Sequence, residues 1–100
     1  MQPTNFLYLL TPPRPTFLRD ATPEEMAIMG KHRAYLEAAA ASGRLMVAGP
    51  TLDGVYGVGI LTTGNVAEAE SFAAGDPVVS SGLMQYRLHP WMASIRAPGL

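Results

Sequence analysis

Apolar positions fall along the chain in short runs whose spacing switches between two and about 3.6, and each switch marks a new element. From Asn5 to Thr11, Phe6, Tyr8 and Leu10 point one way while Leu7 and Leu9 point the other. Both faces of this first strand are therefore apolar, and each needs a cover. Pro12 and Pro13 close it, and Pro12 to Ala21 reads as a loop with three prolines and the charged residues Arg14, Arg19 and Asp20.

Thr22-Pro23-Glu24-Glu25 carries the signature of a helix start. Thr22 suits the N-cap, Pro23 the first helical position, and Glu25 completes a capping box. The helix is predicted to run to about Ser42, where Gly43 supplies a left-handed stop. At 100° per residue, Ile28, Met29, His32, Leu36, Ala39 and Ala40 share one face, opposite Lys31, Ala34 and Ala38. His32 thus falls within the stripe destined for the core.

Leu45 to Ala48 and Val55 to Thr62 are two further apolar runs, joined through Gly49-Pro50 and the turn Asp53-Gly54 into a β-hairpin. Gly57 and Gly59 share a face of the later strand, where missing side chains let a ligand or another backbone come close. Asn65, with Glu68 three residues on, caps an Ala-rich helix through Ala74 that stops at Gly75. Asp76-Pro77 opens a brief turn, and Leu83 to His89 forms a fourth strand ended by Pro90-Trp91.

The order strand, helix, strand, strand, helix, strand predicts an α+β fold of the ferredoxin-like βαββαβ type, with four antiparallel strands and two helices on one face. One domain over residues 1–92 and a tail over 93–100, expected to be mobile, account for the chain. The other sheet face has no element to cover it. Packing that face against a second copy is the simplest solution, so a homodimer is expected.

Composition sharpens this expectation. Only 15% of the 100 residues are charged, against about 25% in an ordinary soluble domain, and the net charge is −1. Such a surface favours self-association and offers no basic field for nucleic acid or an anionic membrane. Cysteine is absent, which removes disulfides, thiolate metal sites and thiol nucleophiles and fits a reducing, cytoplasmic setting. Phe6 to Leu10 is too short for the core of a signal peptide, and no run approaches a membrane span.

His32 is the foremost candidate for chemistry. Imidazole changes charge near neutral pH and suits a general acid or base, but a histidine in an apolar stripe also serves as a core residue satisfied by a partner. Asp76 is the natural partner, since a carboxylate accepting the imidazole N–H fixes its tautomer. An Asp before Pro is equally ordinary turn and capping chemistry. Arg14 could clamp an anion with paired donors or stand as a solvated charge. Connectivity gathers Arg14, Asp53 and Asp76 at one edge of the sheet, with Asp53 read as a turn residue. His89 lacks the spaced partners of a metal site. Met26, Met29 and Met46 read as core filler. No phosphate loop, metal motif or cofactor signature is found, and none is expected.

Leu7-Tyr-Leu-Leu-Thr-Pro-Pro-Arg-Pro-Thr-Phe17, Thr22-Pro-Glu-Glu25, His32 with Tyr35-Leu36, Ala48-Gly-Pro50, Gly57 to Leu61, Asp76-Pro77, Gly82-Leu83 and Pro90-Trp91 together resemble the YCII-related domain family. The resemblance implies a dimeric α+β barrel and a pocket holding a His and Asp pair, here His32 and Asp76. The family includes a dehydrochlorinase acting on a chlorinated hydroxyhydroquinone.

The expectation is a small cofactor-independent enzyme of the lyase or isomerase type acting on a small molecule. His32 moves a proton, Asp76 orients it and Arg14 steadies an anionic substrate. The alternative is a non-catalytic dimeric module that binds a small ligand or a protein, with His32 and Asp76 as a structural bridge. Solvent access to His32 separates the two. A barrel oxygenase shares only the architecture.

Overall fold

Alternation along the first strand sets the layers of the domain. The computed structural model describes residues 5–100, so the first four positions of the expected domain lie outside the described residues. Eight elements follow one another: β1 (Asn5–Thr11), α1 (Phe17–Asp20), α2 (Pro23–Ala41), β2 (Leu45–Pro50), β3 (Gly57–Leu61), α3 (Val66–Gly75), α4 (Pro77–Ser80) and β4 (Gln85–Trp91). The four strands form one antiparallel sheet in the order β2-β3-β1-β4. This is the α+β, ferredoxin-like arrangement that the order of elements predicts.

Tyr8 in β1 lies opposite Gly59 of β3 and Leu88 of β4, so these three positions share a face. Phe6, Tyr8 and Leu10 on that face are buried together with Leu61, under Ala39 of α2 and Phe72 of α3. The Phe72 ring meets Tyr8 edge to face at 5.6 Å and Tyr35 of α2 at 5.1 Å. Each such pair adds roughly 0.5–1.5 kcal/mol beyond its buried area. On the other face Leu7, Leu9, Val58 and Ile60 remain partly exposed, with no helix over them.

Local signals place the long helix as predicted. Thr22 Oγ1 accepts from the Glu25 amide at 3.1 Å while Glu25 Oε1 accepts from the Thr22 amide at 2.9 Å. Gly43 has φ of 83° just past the helix end, a conformation that costs most other residues dearly. Ile28, Met29, His32 and Leu36 are half-buried and Ala39 is fully buried, whereas Ala40, placed in the stripe by its spacing, is exposed.

Several boundaries differ from the sequence reading. The Pro-rich segment contains the short helix α1, anchored by buried Phe17. The turn at Asp76-Pro77 opens the short helix α4. β2 continues through Gly49 and Pro50, and β3 begins at Gly57 rather than Val55. β4 starts two residues later than expected and runs through Pro90 to Trp91. It is an edge strand, where proline is tolerated because one side of the ladder has no partner. Met26 and Met46 are about half exposed, at 57% and 48%, so they are not the core filler expected of them.

Candidate active site

Asp76 occupies the junction of two helices. It follows the last turn of α3, its amide bonding to the Ala73 carbonyl, and it caps α4 by accepting the Val78 amide on Oδ1 at 3.1 Å. Its side chain is fully buried. A buried carboxylate needs compensating donors, and the fold brings two more to it. Tyr8 of β1 donates its hydroxyl to Oδ2 at 2.8 Å, and His32 of α2 sets Nδ1 at 2.7 Å from Oδ1 and 3.0 Å from Oδ2.

This geometry orients the imidazole. With Asp76 ionised the carboxylate only accepts, so the proton between the two groups sits on Nδ1, and in the neutral imidazole Nε2 carries the lone pair. Nε2 has no hydrogen bond to any described residue. The His32 side chain keeps 12% of its surface exposed and lines a cavity of about 600 Å³ between α2 and the β1, β2 and β3 strands. No buried side-chain nitrogen or oxygen among the described residues lacks a partner, so Nε2 reaches open space instead of being sealed in hydrocarbon. Burial and the neighbouring Asp76 carboxylate hold the Tyr8 phenol well above its ordinary range, which keeps it a donor.

Apolar groups make most of the cavity wall. Met29 and Leu36 come from α2, Phe17 and Leu18 from the α1 segment, and Gly57 and Gly59 from β3. A Cβ on Gly59 would stand 3.4 Å from Leu45 Cδ1 and 3.5 Å from Tyr8 Cδ2, and one on Gly57 would stand 3.4 Å from Leu10 Cβ. The missing side chains therefore keep this space open, as their shared face suggests. Arg33 and Glu37 stand at the rim as an exposed i, i+4 pair, 3.4 Å apart.

Arg14 and Asp53 do not join this cluster. Four of the five Arg14 N–H groups are committed: Nε and one Nη2 hydrogen to the Asp20 side chain and carbonyl, the others to both oxygens of Glu25, all at 2.8–2.9 Å. The guanidinium also lies 5.6 Å from the centre of the Phe17 ring. These bonds tie the Pro-rich segment to the start of α2, and Arg14 is not part of the cavity wall. Asp53 accepts from Thr51 Oγ1 and the Val55 amide, as a turn residue does. Arg14, Asp53 and Asp76, expected at one edge of the sheet, thus make three separate sets of bonds. His89 is exposed on β4, and among the described residues no three His, Cys, Asp or Glu side chains converge as metal ligands.

Tyr8 is the member of the cluster that the sequence did not reveal. Strand alternation turns it inward, but its bond to Asp76 spans 68 positions, and only the packed fold shows it.

The sequence signature of the YCII-related domain matches residues 6–92. The chain belongs to the YCII-related domain family. Among solved structures, the 5-chloro-2-hydroxyhydroquinone dehydrochlorinase TftG from Burkholderia phenoliruptrix AC1100, in complex with 2,5-dihydroxybenzoquinone, is similar to this member. The two share 25% identity over 86% of this chain and 92% of that one, with a TM-score of 0.63. No curated protein matches the chain.

Proposed function

We propose that this YCII-related protein is a small enzyme that moves a proton on a small hydroxylated substrate, with His32 as the general base and acid and Asp76 as its orienting partner. One observation carries the reading: Nδ1 is tied to a buried carboxylate while the His32 side chain, 12% exposed, lines a largely apolar cavity. Such an imidazole takes a proton at Nε2, and Asp76 stabilises the resulting cation without itself being protonated.

Two outcomes fit that step. In an elimination, Nε2 removes a proton, the freed electron pair expels an anion such as halide, and the imidazolium later gives its proton to solvent. In an isomerisation, the same proton returns to another atom of the substrate. The likeness to a dehydrochlorinase crystallised with a dihydroxyquinone favours hydroxylated rings of that size, which the cavity can hold. Arg14 enters the proposal mainly by holding the segment that carries Phe17. Steadying an anionic substrate would require its one uncommitted N–H or the release of a carboxylate. A homodimer through the Leu7, Leu9, Val58 and Ile60 face completes the proposed assembly.

The test is hydrogen exchange. With 2,5-dihydroxybenzoquinone in D2O, the protein should accelerate replacement of the ring C–H hydrogens, read by NMR, and His32→Gln should slow it by about 10²–10⁴-fold. Equal rates with wild type, His32→Gln and buffer alone would leave the non-catalytic binding module as the better reading.

A further inference from the structure

The pairing of His32 with Asp76 leaves open how tightly the carboxylate holds the imidazole's proton. Asp76 accepts three donors from three elements, and they are not equivalent. The Val78 amide is part of the α4 cap. His32 is the group being tuned. Tyr8 is the third, a phenol placed within the sheet with its hydroxyl on Oδ2, the same oxygen that the imidazole approaches at 3.0 Å.

We propose that Tyr8 is a positioning residue of the site: by donating to Asp76 Oδ2 it draws negative charge away from the imidazole and so sets the pH at which His32 Nε2 is free to accept a proton. This rests on the proposed role of His32 only for its consequence, since the electrostatic coupling exists whether or not the site turns over substrate. Each donor to a carboxylate disperses its charge and weakens its pull on any other partner. Removing one strengthens the remaining pair and favours the imidazolium.

The surroundings leave Tyr8 with few competitors. From α2 come Tyr35, whose hydroxyl donates to the Phe72 carbonyl, and the exposed rim pair Arg33 and Glu37. From β4 comes Tyr86, 6.5 Å from the Tyr8 ring, which donates to Glu70 of α3. Arg44, just before β2, lies 5.9 Å from the Phe72 ring centre, and Tyr56 joins the cavity wall. β3 contributes the glycines 57 and 59, and α4 only its backbone amide. None of these side chains bonds to the Asp76 carboxylate.

His32 and His89 are the two histidines of the chain, so a 15N-detected pH titration reads the first with the second as internal control. In Tyr8→Phe the protonation midpoint of His32 should rise by about 0.5–1 pH unit relative to wild type, while that of His89 stays fixed. Replacing Tyr8 alone by 3-fluorotyrosine, a stronger donor of nearly equal volume, should move the His32 midpoint down. The second variant decides the matter if the first does not fold. An unmoved His32 midpoint in a folded variant, or two shifts of the same sign, would overturn the proposal and leave Tyr8 a packing residue. The titration needs no substrate. A shift without any hydrogen exchange would therefore refute the enzyme reading and leave this one standing.

Discussion

The hydroxyl of Tyr35 occupies the space that a side chain on Gly75 would need. It donates to the Phe72 carbonyl at 2.8 Å and lies 2.7 Å from where a Cβ on residue 75 would stand. This contact joins α2 to the end of α3 one residue before Asp76. Gly75→Ala should therefore push the two helices apart and cost about 1–3 kcal/mol, measured by urea unfolding. In a Tyr35→Phe background the cost should shrink, because the obstructing oxygen is gone.

Asp76→Ala should be the most damaging single change at the site. It orphans the Tyr8 hydroxyl, the Val78 amide and the imidazole N–H in a fully buried position, and about 3–5 kcal/mol of stability should be lost. His32→Gln, at a side chain that still touches open space, should cost much less. Equilibrium denaturation of the two variants checks the ranking.

The clamp between Arg14 and Glu25 predicts an acid sensitivity with a definite sign. Hydrogen bonds from the Arg14 guanidinium and then from the Thr22 amide pull the Glu25 carboxyl from 4.5 down to about 2. The unfolded chain thus binds a proton first as pH falls. The contribution of Glu25 is complete above its unfolded value of 4.5 and disappears as pH drops through about 2. Arg14→Met should flatten the fall in unfolding midpoint across that window, measured by urea titrations at successive pH values.

Gly59 should tolerate a methyl group structurally but not functionally. Its nearest neighbours would lie at ordinary contact distances, and alanine suits a strand better than glycine does, so Gly59→Ala should change stability by less than about 1 kcal/mol. The methyl narrows the cavity, so under the proposed function binding of 2,5-dihydroxybenzoquinone should weaken. Calorimetric titration beside a thermal melt separates the two effects.

For the bare sheet face, Leu9→Lys should dissociate the proposed dimer without unfolding the protomer, since Leu9 points away from the helices. Sedimentation velocity would show the change as a lower mass, and an already monomeric wild type would remove the dimer proposal.

Local chemistry made much of this architecture readable in advance. The capping box at Thr22 and Glu25, the glycine stop at Gly43 and the two-sided apolar strand at Asn5 each depend on residues within a few positions. Spacing also put His32 on the inward face of α2. The unread features depend on partners far away or on very short helices. Phe17 anchors α1 within a segment whose prolines favour a loop, and α4 has four residues, although Asp76 and Pro77 are its cap and first position. The commitment of Arg14 follows from Glu25 serving two donors at once, which no linear pattern displays.

Asp76 serves both the His32 imidazole and the cap of α4 through Oδ1. Its loss is therefore felt by the scaffold before it is felt by any substrate. A lineage that gave up catalysis could discard His32 cheaply yet would be held to the aspartate by its need to fold. Under the proposed proton transfer, the histidine is accordingly the better marker of activity, and the acidic residue alone is a marker of architecture.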